Sequence, residues 1–339
     1  MLRLMLVSAA LMVAACNYVQ SAESYLSAPF KGSPFTTVTD IPLAGGADRL
    51  DYESLDADRH LLFVAHLGSS MVHVIDTGSN TVKATIGDIA SAHGVLAVPA
   101  LKRAYATATS SHELVVIDED SLKVIARVPA GNAPDGLAYA PNAHAIFISD
   151  EGGSKETVVD VSTNQTLGQI ELGGEAGNTQ YDAVSDRIYV NVEPKDEIAE
   201  IDPATRAVVA RHPVPGAGGA HGLLLDSANR QAYVAGEAGG KLSLVDMNTW
   251  QVLDTQPVGA YPDVLSLDVG RGLVYVAAES GTVSVFKAGQ LKLQKIAEGY
   301  AASKAHVVLA DPESHLLYLP LENVDGKPVL RICSFDAKP

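Results

Sequence analysis

Cysteine is nearly absent from this 339-residue chain: Cys16 and Cys333 are the only two. No disulfide framework can be built, so stability has to come from a core. Basic residues are also few. There are 24 Lys and Arg against 40 Asp and Glu, a formal charge of −16. Such a surface argues against a nucleic-acid partner, whose phosphates need a basic footprint. The N-terminal apolar run, Leu4 to Val13, is too short to anchor across a bilayer. No CxxCH, HExxH or GxSxG occurs, which removes covalent haem attachment, the zincin helix and the nucleophile elbow. The one Gly-rich stretch, "GAGGAHG" at 216–222, leads into a strand pattern rather than a helix, so it is no phosphate loop.

What is present is a repeat. An apolar strand carrying an aromatic is followed by a polar turn, then by a second apolar strand that mostly ends in Asp. The pattern reads "LLFVAHLGSSMVHVID", "RAYATATSSHELVVID", "AIFISDEGGSKETVVD", "RIYVNVEPKDEIAEID", "QAYVAGEAGGKLSLVD", "LVYVAAESGTVSVF" and "LLYLPLENVDGKPVLRI". The aromatic anchors are Phe63, Tyr105, Phe147, Tyr189, Tyr233, Tyr275 and Tyr318, spaced by 42, 42, 42, 44, 42 and 43 residues. A period of this length with four short strands per unit is that of a propeller blade. The expected fold is all-β: a seven-bladed β-propeller with four-stranded antiparallel blades. The chain ends soon after the third strand of the last repeat. The segment "FTTVTDIPL", residues 35–43, has the look of the other outer strands and is expected to join the last blade and close the ring. Asp76, Asp118, Asp160, Asp202 and Asp246 recur at one repeat position, where an Asp side chain bonds turn amides.

Residues 1–22 read as an export signal: Arg3, an apolar run, then small residues. "Val13-Ala14-Ala15-Cys16" matches a bacterial lipobox, in which Cys16 is lipidated. Cleavage near Ser21 or Ala22 is the alternative. Either outcome is periplasmic or extracytoplasmic, with membrane contact only through an N-terminal lipid anchor. Residues 23–34 read as a tether and 35–339 as the single propeller domain.

The repeats, most clearly "LFVAHLGSSMVHVIDTGSNTVKATI" and "VPAGNAPDGLAYAP", resemble the YVTN-type β-propeller repeat over roughly residues 35–335, and the chain looks like the YncE-like group of bacterial exported proteins. Blade two has "YATA" and blade seven "YLPL" where that motif carries Asn or a similar residue. The resemblance implies a seven-bladed propeller of the kind also seen in lactonase and cytochrome d1 domains. It implies little about activity.

A second periodicity accompanies the aromatics. Twelve residues before each anchor, eleven in blade four, stand Asp51, His93, Asp135, Asn178, His221, Asp263 and His306. All are polar. At the start of an inner strand they would ring one mouth of the central channel. The three histidines fall in blades two, five and seven, so His93, His221 and His306 are the candidate ligands for a divalent transition metal, with the Asp residues behind them. Glu151, Glu193, Glu237, Glu279 and Glu322 recur just after the second strand in blades three to seven and add an acidic rim; His66 ends that strand in blade one. His66 and Glu193 join the candidate ligand-binding set.

Two functional readings follow. The first is a non-catalytic envelope propeller that binds a small ligand, a metal ion or a partner protein at the channel mouth. The second is a metal-dependent, lactonase-like hydrolase or lyase at the same place, with Asp51, Asp135 or Asp263 as general base.

Overall fold

The computed structural model describes residues 33–336. The expected export signal, the lipobox at Cys16 and nearly all of the tether lie outside the described residues. The chain from Phe35 onward forms seven four-stranded antiparallel sheets. Six are built from consecutive strands. In blade one these are Glu53–Asp56, Leu61–His66, Met71–Asp76 and Thr81–Ile86, from the axis outward. The seventh is composite. Leu309–Ala310, Leu317–Val324 and Lys327–Phe335 supply three strands, and Phe35–Pro42 pairs antiparallel with Lys327–Phe335 as the fourth. A bidentate Arg331–Asp40 pair at 2.7–2.8 Å spans that junction.

Period-two alternation explains why seven sheets hold together. Leu61, Phe63 and Ala65 pack toward blade two, while Leu62 and Val64 of the same strand pack toward blade seven. A strand apolar on both faces needs a neighbour on each side. Seven buried clusters result, one at each blade-to-blade interface. The seventh contains Ile41, Tyr318, Leu330 and Ile332 of the last blade with Leu62, Val64 and Ile75 of the first. All seven aromatic anchors are buried, and each points into the interface with the next blade. Cys333 is buried and free.

The repeated Asp residues close turns. Asp76 and Asp118 accept the backbone N–H three residues on, from Ser79 (2.9 Å) and Ser121 (2.8 Å). Asp160 and Asp202 do the same for Thr163 and Thr205, and Asp246 accepts from the N–H two residues on, that of Asn248. They are structural devices on the outer edge of each hairpin.

Some polar groups strain this core. Glu156, on the third strand of blade three, is fully buried, and neither carboxylate oxygen has a hydrogen bond of normal geometry. Burial pushes its pKa well above the ordinary 4.5, with the nearby Thr179 hydroxyl opposing only in part. The folded state therefore keeps the proton after the unfolded chain has lost it, and stability falls as pH rises above about 4.5.

Deleting residues 35–42 should lower the urea midpoint of the whole domain, in one cooperative transition, because it opens the last interface. An unchanged midpoint would show that the N-terminal strand is dispensable. Glu156→Gln should raise the thermal midpoint at pH 8 more than at pH 5; an equal gain at both would contradict a protonated buried carboxyl.

Candidate functional site

The hub is made where each inner strand begins. In five blades the pairing of first and second strands shifts register there: between Ala92 and Val95, Pro134 and Leu137, Ala176 and Thr179, Ala220 and Gly222, and Pro262 and Leu265. Each irregularity contains a ring residue. A bulge breaks the pleat and re-aims a side chain, here into the channel mouth. The blades are drawn close by glycine. A Cβ on Gly94 would lie 2.1 Å from the Asp135 carbonyl oxygen, and one on Gly222 would lie 2.1 Å from that of Asp263. Buried polar side chains latch these turns across blades. Thr107 Oγ1 accepts from Gly94 N–H (2.6 Å) and donates to the Asp135 carbonyl (2.9 Å). Asn191 Nδ2 donates to the carbonyls of His221 (2.9 Å) and Gly222 (3.0 Å).

Six of the ring residues form a continuous charged network. Asp51 Oδ2 faces His93 Nε2 at 3.3 Å and His306 Nε2 at 3.8 Å. His93 Nδ1 faces Asp135 Oδ1 at 3.3 Å. His221 Nε2 lies 3.5 Å from Asp263 Oδ1, and its Nδ1 meets Glu193. Arg49 ties the halves together, at 2.7 Å to Asp51, 2.6 Å to Glu279 and 3.7 Å to Asp263. The seventh, Asn178, bonds Tyr52: the Tyr hydroxyl donates to Oδ1 (2.9 Å) and accepts from Nδ2 (2.8 Å). Tyr52 thus spans the channel from blade one to blade four. It separates a cavity of about 250 Å³ at the mouth from one of about 180 Å³ among the inner strands, and it lines both.

The mouth cavity is bounded by Asp51, His93, Asp135, His221 and Asp263 of the ring, by Glu151, Glu237 and Glu279 of the rim, and by Arg49 and Tyr52. Asn178 lines the inner cavity instead. Glu322 pairs with Lys304 at 3.5 Å. His66 is placed elsewhere. It is fully buried within blade one, between Asp48 (2.8 Å) and His73 (3.1 Å), and does not reach the mouth. Its strand-end position put it on the right face, but its side chain turns into its own blade. His93, His221 and His306 do not meet around one point either. Among the described residues, the groups close enough to share an ion are Glu193–His221–Glu237 and Asp263–Glu279–His306. Each histidine is instead flanked by carboxylates, because acidic side chains fill the ring and rim positions between them.

Arg49 and Tyr52 escaped the sequence reading. A signal for Tyr52 existed. The residue after the ring position is Gly94, Gly136, Thr179, Gly222, Val264 or Val307 in the other blades. A Tyr there has no room except in the channel.

Desolvation opposes charge throughout the site, and the pairings overturn it for the histidines. Burial would lower the His93 pKa, yet Asp135 and Asp51 raise it to about 10. His306 is lifted to about 9, burial again opposing and Asp51 prevailing. His221 is held well above its usual value against burial by Asp263 and Glu193. Asp51 is driven well below the carboxylate range, burial opposing, by His93 and His306. Asp135 moves upward, mainly through burial. Glu151 is raised to about 7 by burial and then by Asp135.

Hub and blades together define a seven-bladed β-propeller with an acid-rich channel mouth. Over 170 residues the sequence is 22% identical to the proteins called "Uncharacterized protein YncE" in Salmonella typhimurium and Salmonella typhi. The match takes in 48% of this chain and 47% of each relative, so the chain spans about half the length of the curated relatives it matches. Together with the seven blades, this weak sequence likeness supports the resemblance to YncE-like propellers. No protein-family model matches. Among solved structures, a chain of the Kuenenia stuttgartiensis hydrazine synthase superposes with a TM-score of 0.70 at 13% identity, covering 82% of this chain and 94% of that one. A chain of the mitotic checkpoint complex gives 0.75 at 12%, covering 91% and 95%. Likeness at such identity is of fold alone.

A histidine whose folded pKa is raised contributes stability below the unfolded value near 6.5 and loses it as pH climbs toward the folded value. For His93 that window runs from 6.5 to about 10. His93→Gln should therefore be less stable than the parent at pH 6 and nearly equal at pH 10, by urea midpoints. A constant difference across that range would mean that the imidazolium is not the stabilising species.

Proposed function

We propose that this chain is an extracytoplasmic binding propeller that takes a small cationic ligand at its channel mouth, without catalysing a reaction on it. The observation that carries this reading is the balance of charge in the mouth cavity. Six carboxyl groups, Asp51, Asp135, Glu151, Glu237, Asp263 and Glu279, line it against Arg49 and two histidines. A cation entering this space relieves repulsion among the acids, whereas an anion adds to it. The size agrees: about 250 Å³ is below the range of roughly 300–1,000 Å³ that drug-sized ligands occupy. It suits an ion or a molecule of few heavy atoms. The floor is stiff, since Tyr52 is pinned by Asn178 and burial keeps its phenol protonated.

The location outside the cytoplasm rests on the Leu4–Val13 run and the small residues before Cys16, and on the likeness to bacterial proteins. A lipid-anchored form and a partner protein docked on the same face fit this reading. The hydrolase reading needs a metal that polarises substrate. Against it, the three candidate bases are committed to ion pairs. Asp51 and Asp263 face imidazoles and Arg49, and Asp135 faces His93.

Calorimetric titration of the intact protein tests the proposal. Putrescine and divalent cations should bind saturably, and inorganic phosphate and acetate should not. Affinity should weaken with added salt and rise between pH 6 and pH 8 as Glu151 ionises. Selective binding of the anions would overturn the reading.

A further inference from the structure

Resting on that cation-binding reading, we infer that Glu193, His221 and Glu237 form a site for one divalent transition-metal ion at the edge of the mouth cavity. One donor atom from each lies within 4.8 Å of the other two. Glu193 starts the turn that follows the second strand of blade four. His221 opens the inner strand of blade five, and Glu237 follows that blade's second strand. The site therefore bridges two adjacent blades on rigid strand ends.

Arg49 decides between the two groups that could share an ion. Asp263 and Glu279 of the other group already hold the Arg49 guanidinium, at 3.7 Å and 2.6 Å. An ion there would have to displace a cation. Among the described residues, no lysine or arginine is ion-paired to Glu193 or Glu237, while the two carboxylates face the same imidazole. Two carboxylates balance a divalent charge.

The histidine is held in the way metal-binding histidines are. Nδ1 points at Glu193, and Nε2 lies 3.5 Å from Asp263 Oδ1. A carboxylate behind the far ring nitrogen orients the ring and raises its basicity as a ligand. Asp263 is thus a positioning residue here. On the same cavity wall Asp135, 2% exposed, has its Oδ1 3.3 Å from His93 Nδ1, without a hydrogen bond of normal geometry between them. One imidazole with two carboxylates favours Zn²⁺, Co²⁺ or Mn²⁺ over Ca²⁺, which prefers an all-oxygen shell. Three protein ligands leave a position open to solvent.

The test uses the full protein, free of an affinity histidine tag and stripped with chelator. Zn²⁺ titration should give one equivalent, and Co²⁺ should show visible absorption that changes when the imidazole is lost. His221→Ala and Glu237→Gln should each abolish saturable Zn²⁺ binding; Glu171→Gln, on the exposed outer strand of blade three, should leave it intact. Glu237 is a half-buried rim residue, so Glu237→Gln is expected to keep the parental thermal midpoint even if His221→Ala does not. Asp263→Asn should weaken Zn²⁺ by roughly 10–100-fold without changing stoichiometry. Loss in Glu279→Gln with retention in Glu237→Gln would move the ion to the Arg49-held group and overturn the assignment. Putrescine binding without Zn²⁺ binding overturns the metal inference and leaves the cationic-ligand reading standing. Binding of neither overturns both.

Discussion

A sheet that is apolar on both faces has to be covered on both, and every other property of this molecule depends on that requirement. Strands such as Leu61–His66 send alternate side chains into two different cores. No blade of this kind is stable alone, and an open row of them would leave two apolar faces bare. The ring removes those faces by letting blade seven meet blade one across Leu62, Val64, Tyr318 and Ile332. Because its last sheet joins Phe35–Pro42 to Lys327–Phe335, the final interface unites residues from both ends of the domain. No disulfide contributes among the described residues, where Cys333 stands free.

The hub is a consequence of the same packing. Neighbouring blades approach so closely where the inner strands begin that those turns carry Gly94 and Gly222, where a Cβ would strike the next blade's carbonyl. The bulges at these turns aim polar side chains at the mouth, where water can still reach some of them. Once gathered, acids and imidazoles titrate as a network. Histidines alone in such a place would lose their protons to desolvation. Paired with Asp51, Asp135 and Asp263 they keep them. The charges that stabilise the ring turn and the charges that face the cavity are the same groups. Fold stability and cavity charge are therefore coupled at this end of the channel, unlike the Asp-capped turns at the periphery.

Much of this was legible in the residue order. The spacing of Phe63, Tyr105, Phe147, Tyr189, Tyr233, Tyr275 and Tyr318 sets the blade number, because one aromatic per blade fills one interface. The fixed offset from each anchor to Asp51, His93 and their equivalents marks the hub, since the inner hairpin has nearly constant length. The regular part of the site was therefore visible. What repeat spacing conveys is a position along a blade, and it says nothing about which way a particular side chain turns there. His66 occupies a strand end on the correct face and yet folds back onto His73 and Asp48. Arg49 stands two residues before a ring position and reaches across to Glu279, 230 residues away in sequence.

By itself, then, the residue order determined the seven blades, the turn-closing aspartates and the polar ring, because local alternation and hairpin length govern all three. Tertiary structure alone decided the pairing of charges: that Tyr52 divides the channel, that Arg49 claims Asp51, Asp263 and Glu279, and that the histidines are kept apart by carboxylates instead of meeting around one ion. Those outcomes depend on distances across an axis where all seven blades meet, and such distances exist only once the ring has formed.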